Sequence, residues 1–129
     1  DAKTFSGRAL RLRQGMAAIQ AYEHELDRAM LDIFASIPGV RLYGLNDPQR
    51  LDERVPTFSI NVDGWHPGDL AEKLGQRGVY VWDGNYYALA VTQRLGVEES
   101  GGMLRIGAAH YNTLAEISRF GEILSDIIR

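Results

Sequence analysis

The feature that most constrains this chain is a helical stripe running from about Ser6 to Ile37. Leu12, Met16, Ile19, Tyr22, Leu26, Met30, Ile33 and Ile37 recur every three or four positions. Pro38 and Gly39 then end it. At 1.5 Å per residue such a helix extends roughly 45 Å, longer than a domain of this size needs. Its first turns, which carry Arg8, Arg11 and Arg13, are therefore expected to project. They read either as a solvated helix end or as a linker helix that packs on a neighbour.

Behind the helix the periodicity changes. Val40–Tyr43 alternates after the Pro-Gly break and reads as a strand. Residues 44–56 are rich in turn residues and read as a surface loop. Thr57–Val62 is the cleanest strand: Phe58, Ile60 and Val62 share one face, and Thr57, Ser59 and Asn61 the other. Pro67 suits the first turn of a helix carrying Leu70, Ala71 and Leu74 and ending at Gly78. His66 before it reads as a capping or turn residue. Val79–Trp82 reads as a third strand. The connection from Asp83 to Gly102, long for a compact domain, reads as functional or mobile, with a short helix between Tyr87 and Leu95. Leu104, Arg105 and Ile106 alternate as a fourth strand, with Gly107 read as a tight bend. Thr113 and Glu116 stand at the spacing of a capping box, opening a closing helix to Ile128.

The order α-β-β-α-β-β-α predicts an α+β fold: a small, mostly antiparallel sheet of three to four strands with helices on one face. The other face is expected to carry Arg41, Tyr43, Thr57, Ser59, Asn61, Tyr80, Trp82 and Arg105. Three of these are large aromatics, which points to a partner covering part of that face.

Composition excludes several functions. At 129 residues and net charge −3 the chain reads as one domain, or one piece of a larger one, without the basic patch of a nucleic-acid binder. It has no cysteine, so disulfides, thiolate metal sites and cysteine nucleophiles are ruled out within it. That agrees with a reducing compartment, and a cytoplasmic location is the expectation. No apolar run approaches the roughly 20 residues of a membrane span. The chain opens Asp1-Ala2-Lys3-Thr4, with no signal-peptide core and no initiator Met, so it is expected to be a processed or excised piece. His24, His66 and His110 sit in no metal-ligand spacing. His24 is expected in solvent, and Glu23, Glu25 and Asp27 read as helix-surface charges.

Several segments, in this order, resemble the C-terminal small domain of class V aminotransferases, fold-type-I enzymes that use pyridoxal phosphate (PLP) and include the cysteine desulfurases. They are Ala21-Tyr22-Glu23, residues 37–44, Val55-Pro56-Thr57-Phe58-Ser59, His66-Pro67 with Asp69-Leu70-Ala71, Leu74 with Arg77-Gly78-Val79, and Leu104-Arg105-Ile106-Gly107 with His110-Tyr111-Asn112-Thr113. The resemblance implies that Arg105 binds the α-carboxylate of an amino-acid substrate, and that Gly84, Asn85, Tyr86 and Tyr87 form an active-site loop. It implies that residues 1–129 are one domain of a larger, dimeric transferase or lyase. The PLP lysine, the aspartate on the pyridine ring and the phosphate cradle then belong to a large domain of the same chain, and this piece alone is expected to be inactive and to bind no PLP. In desulfurases the loop reads Gly-x-x-Cys-Ala. Here Gly84-Asn85-Tyr86-Tyr87-Ala88 puts Tyr87 at the cysteine position, and Trp82 replaces an arginine two residues before the glycine. The resemblance thus points to the desulfurase-like branch that lacks the sulfur acceptor. Read from the residues alone, the alternative is a free-standing ferredoxin-like binding or dimerisation module.

Overall fold

The computed structural model describes residues 5–129; Asp1–Thr4, including Lys3, lie outside the described residues. Helix α1 (Gly7–Ser36) leads into strands β1 (Val40–Tyr43) and β2 (Thr57–Val62). Helix α2 (Pro67–Gln76), strand β3 (Trp82–Gly84) and the short helix α3 (Leu89–Leu95) follow. Strand β4 (Met103–Gly107) and helix α4 (Leu114–Ile128) complete the chain. The strands form one sheet of order β1-β2-β4-β3 in which every adjacent pair is antiparallel. The α+β architecture expected from the sequence is the one observed.

The helices form because their apolar stripes have a sheet face to cover. Leu26, Met30, Leu31 and Phe34 of α1, Leu70 and Leu74 of α2, and Ile117, Phe120, Ile123 and Leu124 of α4 join Phe58, Ile60, Leu104 and Ile106 of the sheet in one buried core. Three phenylalanines from three elements, α1, β2 and α4, meet edge-on: Phe34 lies 5.3 Å from Phe58 and 6.2 Å from Phe120, ring centre to ring centre. Helices α1 and α4 approach closely at Gly121, where a Cβ would lie 2.9 Å from the Ile33 side chain. Thr113 and Glu116 make the capping box read from their spacing, each satisfying a backbone N–H of the other's turn.

Only the second half of α1 belongs to this core. Residues 11–18 are exposed, with Leu12 and Met16 among them, so the first turns project as the helix length implied. No helix among the described residues is long and apolar enough to cross a membrane.

The structure corrects four local readings. The third strand is Trp82–Gly84, not Val79–Trp82. Trp82 pairs with Arg105 and the ladder stops there, although β4 runs on to Gly107, opposite which Tyr80 would stand; the Val79 N–H instead donates back to the Leu74 carbonyl at the end of α2. Val79 and Val81 are apolar because they pack on the core, while Tyr80 points into solvent outside any strand. Gly107 has no left-handed φ, and the turn after β4 does not need a glycine there. Asp27 is not a surface charge but is fully buried, and Arg54, in the segment read as a surface loop, is nearly so. Their ion contact is 3.0 Å, and the Arg54 guanidinium also lies 4.0 Å from the Phe58 ring centre and donates to the carbonyls of Leu45 and Thr57. His24 is half-buried and 3.6 Å from Asp52, not free in solvent.

Candidate active-site face

Antiparallel register decides which side chains share the open face. Tyr43 pairs with Ser59, Ser59 with Arg105, and Arg105 with Trp82, so the four form one row across all four strands. Arg41 and Asn61 form the start of the next row. The expected set of face residues is therefore present apart from Tyr80. The face is open along most of its length, but Met103, on the same side of β4 as Arg105, is buried outside the main core. The segment from Asn85 to Gly102 lies beside it, with the Tyr86 hydroxyl donating to the Met103 carbonyl, and its Val97 is likewise buried outside the main core.

Arg105 is exposed on β4. Among the described residues no carboxylate pairs with it. Its guanidinium carbon lies 5.6 Å from the Trp82 ring centre and 5.2 Å from that of Tyr86, both within cation–π range. A guanidinium held this way keeps its N–H fork available for a planar anion such as a carboxylate.

The loop beside it has unusual backbone. Tyr86 and Tyr87 adopt left-handed φ of 53° and 63° in succession, a conformation bulky residues rarely take. Tyr86 donates its hydroxyl to the Met103 carbonyl. Burial pushes the Tyr86 phenol well above its ordinary range, against the pull of the Arg105 charge, so it stays a hydrogen-bond donor. Asn85 accepts from the Tyr87 N–H and donates to Glu98, whose other oxygen accepts from the buried Thr92 hydroxyl. Tyr87 itself is 99% exposed. A shallow depression of about 370 Å³ is lined by Trp82, Gly84, Asn85, Tyr86 and Tyr87, with Glu98 at its side. The loop residues singled out from the sequence therefore lie together, and Arg105 stands beside them.

Neighbouring turns fix this arrangement. His66 caps α2 by accepting from the Gly68 N–H, and its ring lies against Gly101, where no side chain fits. Asn61 donates to the Gly102 carbonyl. A Cβ on Gly102 would run into the Gly84 carbonyl. The turn after Arg105 is held to α1: Tyr22 donates to the Asn112 carbonyl at 2.8 Å, and His110 lies 3.6 Å from Glu23. Sequence spacing alone pairs His110 with no carboxylate, since Glu23 is distant along the chain. No group of histidines, aspartates and glutamates among the described residues could hold a metal ion. The one lysine among them, Lys73, is exposed on α2, in the helix layer, across the sheet from Arg105.

The sequence profile of the family described as Aminotransferase class-V matches residues 6–120. A probable cysteine desulfurase of Methanothermobacter thermautotrophicus is 31% identical over 116 residues, covering 89% of this chain and 28% of its own length. One from Synechocystis is 35% identical over 116 residues, covering 89% and 26%. Among solved structures, the apo cysteine desulfurase of Thermococcus onnurineus superposes with a TM-score of 0.79 at 29% identity, covering 93% of this chain and 29% of that one. The chain thus spans about a quarter of the length of these relatives.

Proposed function

This chain belongs to the class-V aminotransferase family, and we propose that it is the C-terminal small domain of a longer member, the part that grips an amino-acid substrate by its α-carboxylate through Arg105. The observation that carries the reading is a guanidinium on the open sheet face with no carboxylate partner among the described residues, beside a loop tethered in a rarely adopted backbone. The family depends on PLP in general, but the described residues place no amine on the Arg105 face for a cofactor aldehyde to condense with. The cofactor therefore belongs to the remainder of a longer protein, a large domain of the same chain, in a homodimer as the resemblance implies.

Within that division of labour, this chain's residues bind and orient. Arg105 offers two parallel N–H donors to the carboxylate, which fixes the amino acid along one direction. Gly84, Asn85, Tyr86 and Tyr87 wall the site, and the raised Tyr86 phenol remains neutral there. Tyr87 occupies the position where the desulfurase loop has its cysteine. A phenol cannot accept sulfur as a persulfide, so this loop performs no sulfur transfer and the reaction is another transfer or lyase step on the amino acid.

The test is Arg105→Ala in the full-length protein. Losing a bidentate, charge-assisted pair raises KM for the amino acid on the order of 100-fold, while the PLP absorbance persists. An unchanged KM rules out the assignment of Arg105.

A further inference from the structure

We propose that Tyr86 is a positioning residue for Arg105: with Trp82, its ring holds the guanidinium in one orientation, so that the N–H fork faces outward before any substrate arrives. The inference rests on the reading of Arg105 as a carboxylate grip and adds the residues that aim it.

Arginine is long and rotamer-rich, and on an open sheet face it has no intrinsic reason to keep one direction. Here two aromatic rings lie within cation–π range of it, at 5.6 and 5.2 Å. Trp82 comes from the paired strand β3 and is placed by register. Tyr86 comes from the loop, and its placement is fixed otherwise. Its hydroxyl is bonded to the carbonyl of Met103, on the same strand as Arg105 and two residues before it. The ring and the guanidinium are thus tied to one piece of backbone.

The left-handed conformation of Tyr86 and Tyr87 needs a surrounding that over-determines it. The bonds from Asn85 to Tyr87 and to Glu98, and from buried Thr92 to Glu98, supply that surrounding. Without the turn the Tyr86 ring would leave the Arg105 side of the strand. The strained backbone therefore has a use: it delivers an aromatic ring to a cation.

The side-chain Nε–H order parameter of Arg105, measured by NMR on this chain, tests the proposal. Arg41, exposed on the same face, is the internal reference. The expected result is an Arg105 clearly more ordered than Arg41, falling to the Arg41 level in Tyr86→Leu and falling only part of the way in Tyr86→Phe, which keeps the ring but loses its bond to the Met103 carbonyl. In the full-length protein Tyr86→Leu raises KM for the amino acid roughly 2- to 5-fold with kcat unchanged. An Arg105 as mobile as Arg41 in the unaltered chain overturns the proposal. So does an order parameter indifferent to Tyr86→Leu, or a Tyr86→Phe variant as mobile as Tyr86→Leu. Should Tyr86→Leu fail to fold, Trp82→Leu removes the other ring from regular strand backbone and is expected to loosen Arg105 in the same way. Loss of order in these variants, with KM unmoved in both Tyr86→Leu and Arg105→Ala, supports the positioning of Arg105 while refuting its role as carboxylate grip.

Discussion

Replacing Arg54 by methionine isolates one electrostatic contact that the fold depends on. Arg54 is the only charged group in ion-pair contact with Asp27 among the described residues, at 3.0 Å, and Asp27 is 0% exposed. Neither Asp27 oxygen has a well-aligned hydrogen-bond donor, so the guanidinium charge is its main compensation. Burial already pushes the Asp27 carboxyl above its ordinary range, with Arg54 as the strongest opposing influence. Methionine fills similar space but leaves the carboxylate unpaired, which costs about 3–5 kcal/mol in a protein interior. For a chain of this length that lowers Tm by roughly 10–20 °C. The sign of the pH dependence follows. In the variant the folded-state pKa of Asp27 climbs further above the unfolded value of about 3.9. The penalty is therefore smallest below that value and grows as pH rises through the folded pKa. Thermal unfolding followed by far-UV circular dichroism from about pH 4 to pH 8 reads both quantities. The double variant Asp27→Leu with Arg54→Met removes the orphan charge and is expected to recover much of the loss. A deficit that does not vary with pH, or a double variant as unstable as the single one, refutes the reasoning and assigns the cost to the bonds from Arg54 to the Leu45 and Thr57 carbonyls.

Other perturbations give separate checks. Gly102→Ala places a methyl against the Gly84 carbonyl at a left-handed φ of 78°, so it is expected to destabilise by about 1–3 kcal/mol in urea unfolding. Thr113→Ala removes the capping oxygen from the start of α4 and lowers stability by about 1 kcal/mol in the same assay. The Thr113 backbone N–H holds the Glu116 carboxyl below its ordinary range. The stability it contributes is thus present above the unfolded pKa and is lost as pH falls through the folded one. Glu116→Gln should correspondingly flatten the acid limb of the stability profile.

How much of this was legible in the sequence depended on the range of the interaction. The helices and three of the strands follow from local periodicity, and the capping box from two residues at fixed spacing. The family segments, which place Arg105 before the Asn112–Thr113 turn, are also local. Burial of Asp27 left a trace: it stands four and seven residues before Leu31 and Phe34, both buried, and so falls on the core-facing stripe. Its partner Arg54 left none, because a loop residue that reaches back to a helix has no periodic signature. The same holds for the rings around Arg105. Only the register that sets Trp82 opposite Arg105, and the tether from Tyr86 to Met103, bring them together. The displaced third strand has a similar origin, since its extent is set by where it pairs with β4, and β4 is remote in the chain.

Arg105 is mounted on a strand bonded to neighbours on both sides, whereas Tyr86 and Tyr87 sit on a turn secured by side chains. Tyr87 can vary without touching that strand, whereas Tyr86 is bonded to it. On the proposed reading of Arg105, exchanges at Tyr87 alter the size and polarity of the space around a captured acid without shifting the strand that captures it, so a scaffold of this kind is retuned toward different amino acids through its turn and not through its sheet.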